Sequence, residues 1–85
     1  MASKTVIVGS SVGLHARPAS IIAEAAGEYD DEILLSVPGE EAVDAGSSLL
    51  IMTLGAEKGA SVTVESDNAE AVEKIAALIE QDLDA

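Results

Sequence analysis

Two periodicities run along this chain and divide it into segments. Thr5-Val6-Ile7-Val8 is a β-branched run closed by Gly9-Ser10-Ser11, which reads as a strand followed by a loop. Ala19, Ile22, Ala23 and Ala26 then recur on one helical face. The pattern predicts a helix from about Ala16 to a stop at Gly27, with Glu24 and Glu28 in water. Alternation returns at Ile33, Leu35 and Val37, and Pro38-Gly39 turns the chain into a short segment, Glu40 to Val43, as in a hairpin. The apolar run from Leu49 to Leu54 follows Asp44, a candidate cap, and precedes Gly55, a candidate stop. It reads as a short helix, although a buried strand fits the run as well. Val62 and Val64 alternate with Ser61, Thr63 and Glu65 in a strand with one wet face. Last comes the stripe Val72, Ile75, Ala76, Ile79 and Leu83, introduced by Asp67 and Glu70 at capping-box spacing. Glu70 and Lys74 are placed for an i, i+4 ion pair.

The order is thus βαββαβα, without repeat or linker, which predicts an α+β layer with helices on one side of a sheet. At 85 residues the chain is expected to form a single domain, 1–85, with a modest core. There is no Phe or Trp and Tyr29 is the sole aromatic residue, so the core must be aliphatic and rich in alanine. Stacking on nucleic-acid bases is excluded. Sixteen acidic residues against four basic ones give a formal charge of −12, which repels nucleic acid and anionic membranes. Asp30-Asp31-Glu32 and Glu40-Glu41 lack the spacing of a calcium loop and read as solvated surface, so no metal is expected. No cysteine is present, and no run has the length of a signal or membrane segment, so a cytoplasmic protein without membrane insertion is expected.

Gly13-Leu14-His15-Ala16-Arg17-Pro18-Ala19 carries the candidate chemistry. It sets the only histidine and the only arginine two residues apart at the start of a helix. Neutral imidazole is a nitrogen nucleophile near neutral pH, and a phosphoryl group carried on it needs positive partners. Pro18 fits the first turn of a helix, where an N–H has no intrahelical acceptor. The backbone amides of Ala16 and Arg17 then point toward the loop holding His15 and attract anions. The Arg17 guanidinium adds a planar fork matched to phosphoryl oxygens. A bland alternative is an exposed cap histidine beside a solvated arginine.

This segment resembles the active-site signature of the histidine-containing phosphocarrier family, HPr, of the bacterial phosphoenolpyruvate-dependent sugar phosphotransferase system. Chain length, the position of His15, the segment from Ser47 to Gly59 and the last helix extend the likeness over nearly the whole sequence. The resemblance implies an open-faced β-sandwich, a four-stranded antiparallel sheet with three helices on one face. It also implies that His15 accepts a phosphoryl group through Nδ1 from phosphorylated enzyme I and passes it to sugar-specific enzyme II components, with Arg17 and the Ala16 amide stabilising the charge. Ser48, Leu49 and Met52 match the family's docking surface. Ser47 matches a serine that part of the family presents to an ATP-dependent kinase, but Gly46 and Ser48 differ from the residues usual beside it, and a plain helix cap is the simpler reading.

No glycine-rich phosphate loop ending in Lys-Ser or Lys-Thr occurs, so no nucleotide cofactor and no independent turnover are expected. Nothing in the sequence points beyond a monomer. Two alternatives stand beside the carrier reading. One is a relative that signals phosphorylation state to regulatory proteins without feeding sugar uptake. The other is a small acidic interaction module in which His15 is incidental.

Overall fold

The computed structural model describes residues 2–11 and 13–81. Its elements are β1 (Ala2–Ile7), α1 (Ala16–Ala26), β2 (Ile33–Ser36), β3 (Val43–Asp44), α2 (Ser48–Thr53), β4 (Ser61–Ser66) and α3 (Ala69–Glu80). This is the βαββαβα order that the periodicity predicts. The strands pair antiparallel in the order β1-β4-β2-β3, so β4, the last made, lies between β1 and β2. Its alternation sorts the two faces: Val62, Val64 and Ser66 are buried, whereas Ser61, Thr63 and Glu65 are not. Buried residues meet across the strands in register, Val6 opposite Val62, Leu35 opposite Val64 and Ile33 opposite Ser66. On the open face the Thr5 and Thr63 hydroxyls bond at 2.9 Å.

Helix α3 packs on β1 and β4, and α1 packs on both α2 and α3, which completes an open-faced sandwich. The core between the layers is aliphatic, with Ile22, Ile33, Leu35, Ile51, Ile75 and Ile79 as its largest members. Full burial of such a side chain contributes roughly 1.5–3 kcal/mol. Buried alanines at 19, 26, 45, 56, 71 and 76 let the backbones approach in the absence of aromatic bulk.

Several local expectations change. Strand β1 begins at Ala2 and stops at Ile7, earlier than the β-branched run implies, and β3 is only two residues long because Glu40–Ala42 stay exposed beyond the turn. Helix α2 is a helix rather than a buried strand, and its cap is Ser47, not Asp44. Ser47 Oγ accepts from Leu50 N at 3.3 Å, while Asp44 Oδ1 accepts from Gly46 N at 2.8 Å and shapes the turn before it. The cap of α3 is likewise Asn68, not Asp67. Its Oδ1 accepts from Ala71 N, and its own N–H is held by the buried Ser66 hydroxyl, which moves the helix start one residue on. Lys4 pairs with Glu73 at 3.1 Å, in place of the expected Glu70–Lys74 pair. Val72, Ile75, Ala76 and Ile79 are buried as the stripe requires; Leu83 lies outside the described residues.

Candidate functional site at the start of the first helix

His15 is the N-cap of α1, with extended backbone (φ −86°, ψ −165°), and its carbonyl accepts the first intrahelical bond, from Ala19 N at 2.9 Å. Its imidazole makes no capping hydrogen bond and is exposed, so the ring is not committed to holding the helix. Ala16 and Arg17 occupy the first two helical positions, where amides lack intrahelical acceptors. Pro18 takes the third and has no N–H to satisfy. Two free amides therefore face the histidine's end of the helix, with the positive end of the peptide dipoles behind them. The Arg17 side chain is exposed and has no carboxylate partner among the described residues, which leaves its fork available to an anion. The site is open: a groove lined by Gly27, Asp31, Glu32 and Asp44, among others, lies at the opposite end of α1.

The loop before His15 is fastened to three parts of the fold. Val8 N bonds Ala60 O at 2.9 Å and Gly59 N bonds Val8 O at 3.0 Å, while Gly9 N reaches Ile79 O near the end of α3 at 3.0 Å. Gly13 N closes a turn on Ser10 O at 3.0 Å, and Leu14 N bonds Ala56 O at 2.9 Å. The buried Leu14 and Pro18 side chains anchor the chain on either side of the exposed histidine. Gly13 makes the turn possible: its φ is +75°, and a Cβ there would lie 2.5 Å from Ala56 O and 2.8 Å from Glu57 Cα. The contribution of the 56–60 segment has no sequence signal of its own, since its partners are backbone carbonyls and amides that any residue supplies.

Helix α2 is packed against α1 and turns Leu49 and Leu50 outward, 67% and 40% exposed, while Ile51 is buried and Ser48 and Met52 are half-buried. One short helix thus cannot turn all of its apolar residues inward. Ser47 is occupied as a cap. Among the described residues no group of three or more His, Asp or Glu side chains is placed to share a metal ion, and no helix is long and apolar enough to cross a membrane.

A small open-faced sandwich whose uncapped histidine stands at the amide end of its first helix defines a class of protein. The sequence matches the family described as PTS HPr component phosphorylation site over residues 2–81. Solved structures agree. The phosphocarrier protein HPr from Bacillus anthracis is 31% identical, with a TM-score of 0.85 over 92% of this chain and 95% of that one. HPr-C-His from Thermoanaerobacter tengcongensis is 28% identical, with a TM-score of 0.89 over 100% and 98%. The catabolite repression containing protein Crh of Bacillus subtilis, described as a swapped dimer, is 31% identical, with a TM-score of 0.72 over 94% of each chain. The chain belongs to the HPr family, the phosphocarrier proteins of the phosphotransferase system.

Proposed function

We propose that this chain carries a phosphoryl group on His15 from phosphorylated enzyme I, charged by phosphoenolpyruvate, to sugar-specific enzyme II components. The observation that carries this reading is an exposed imidazole free of capping duty, beside two helix-start amides and a guanidinium that have no partner among the described residues. In the proposed step His15 Nδ1 attacks phosphorus in line, and the bond from phosphorus to the donor's histidine nitrogen breaks as the new one forms. In the onward step His15 is the leaving group. The amides of Ala16 and Arg17 orient the phosphoryl oxygens, and the Arg17 guanidinium balances their charge, so positioning and electrostatics supply most of the acceleration. An anion at a helix start gains about 0.3–1 kcal/mol, which holds the group without trapping it.

Pro18 fixes the first turn in this reading, and Ser48, Leu49 and Met52 on α2 form the apolar part of the surface on which both partners dock. Ser47 serves as a cap and is not assigned a regulatory phosphate. The chain acts as one domain, as a monomer in the cytoplasm, and as a covalent participant in the catalysis of others without turnover of its own. The test is reconstitution with phosphoenolpyruvate, enzyme I and enzyme II components of the source organism. Sugar phosphate should accumulate well beyond one equivalent of the chain and should vanish with His15→Ala. Phosphorylation of His15 without any sugar phosphate would replace transport by signalling of phosphorylation state to regulatory proteins.

A further inference from the structure

Charge is distributed unevenly around the His15 face. The chain carries a formal −12, yet residues 13–23 and 45–56, which hold most of α1 and all of α2, contain no Asp or Glu, and Arg17 is their only formal charge. Carboxylates border this window. Arg17, Ser20 and Glu24 are exposed at helical spacing on one face of α1, which sets Glu24 about 10 Å along the axis from Arg17. Asp44 stands at the start of α2, where its Oδ1 accepts from Gly46 N at 2.8 Å. Glu40 and Glu41 stand at the other end of α2, in a groove that they share with Thr53 and Leu54. On the side of the His15 loop, the Glu57 Cα lies 2.8 Å from where a Cβ on Gly13 would be. Inside this border Leu49 and Leu50 are the exposed apolar residues of α2.

We propose that the surface around His15 and α2 fits proteins whose own docking face has an apolar centre and a rim of lysine and arginine, and that Glu24 and Glu57 are specificity-determining residues for them. The proposal rests on the reading of α2 as a docking surface. Protein interfaces combine an apolar centre with a polar rim, and the rim charges steer encounter and reject partners of like sign. One arginine inside a border of carboxylates leaves the field of this face negative, and a phosphoryl group on His15 makes it more so. A partner with an acidic rim would meet like charge at Glu24, Asp44 and Glu57, whereas a basic rim meets opposite charge at each.

Calorimetric titration of the whole chain with enzyme I of the source organism tests this, at about 50 mM and about 300 mM sodium chloride, on either side of the ionic strength at which the Debye length is ~10 Å. Binding should be severalfold tighter at the lower salt. Glu24→Gln and Glu57→Gln should each weaken it there by about 1.5- to fivefold, the span of an exposed charge pair, and by less at the higher salt. Glu65→Gln removes the same charge from the sheet face turned away from the helices and should leave Kd unchanged. Transfer is read separately, from the mass of the chain once phosphoenolpyruvate is added. Salt-sensitive association without an adduct would sink the carrier reading and still support the proposal. Binding that tightens with salt, that ignores both Glu24→Gln and Glu57→Gln, that weakens equally with Glu65→Gln, or that is absent at the lower salt would overturn it.

Discussion

Replacing Gly13 by alanine separates two costs that the fold combines at one residue. A left-handed backbone conformation costs a non-glycine residue about 1–2 kcal/mol. At Gly13, φ +75°, the new Cβ would also lie 2.5 Å from Ala56 O, the acceptor of the Leu14 amide. That contact is too close to persist, and the displacement that relieves it weakens a hydrogen bond worth about 0.5–1.5 kcal/mol. The sum is about 2–3 kcal/mol, or a fall in Tm of roughly 10–20 °C for a domain of this size. Gly39 provides the control, since its φ is +84° and nothing lies within 4 Å of its Cβ position. Gly39→Ala should carry the conformational cost alone. Both changes alter the unfolded chain alike, so the difference isolates the contact. Urea denaturation of the two variants should place the Gly13→Ala midpoint lower, by about 1 kcal/mol or more after multiplication by a common m-value. Equal midpoints would refute the claim that the 56–57 backbone positions the loop of His15.

The two helix caps should differ in weight. Asn68→Ala, at a half-buried cap that also donates to Asp31, should cost about 1–2 kcal/mol in thermal denaturation, and Ser47→Ala, with its longer 3.3 Å bond, nearer 0.5 kcal/mol. His15→Ala should shift stability by less than about 0.5 kcal/mol, because the ring is exposed and caps nothing; a larger loss in the same assay would contradict an uncommitted imidazole. With a formal charge of −12, moderate sodium chloride should raise Tm by screening self-repulsion, and a Tm that falls with salt would refute that.

Long-period features were legible in the residues themselves. The stripe of α3, the alternation of β4 and the start of α1 at Ala16 follow from side chains that must be buried or wet, and these signals need no knowledge of tertiary contacts. The caps were misplaced by one and three residues because Asp67, Asn68, Asp44 and Ser47 all have capping chemistry. What selects among them is tertiary or local geometry: the buried Ser66 hydroxyl holds Asn68 N, and Asp44 is spent on Gly46. The two-residue length of β3 follows from the exposure of Glu40 and Glu41, a choice that the hairpin signal at Pro38-Gly39 does not encode. At the site, His15, Ala16, Arg17 and Pro18 are contiguous, so sequence alone assembled them. The support beneath them, Ala56, Ala60 and Ile79, acts through main-chain groups and was invisible for that reason.

The most direct measurement is intact mass spectrometry of the wild-type chain and of His15→Ala after incubation with phosphoenolpyruvate and an enzyme I of proven activity. The expected result is one acid-labile phosphoryl adduct on the wild type and none on the variant. An unmodified wild-type chain, or an adduct that survives in His15→Ala, would contradict the assignment of the carrier site to His15.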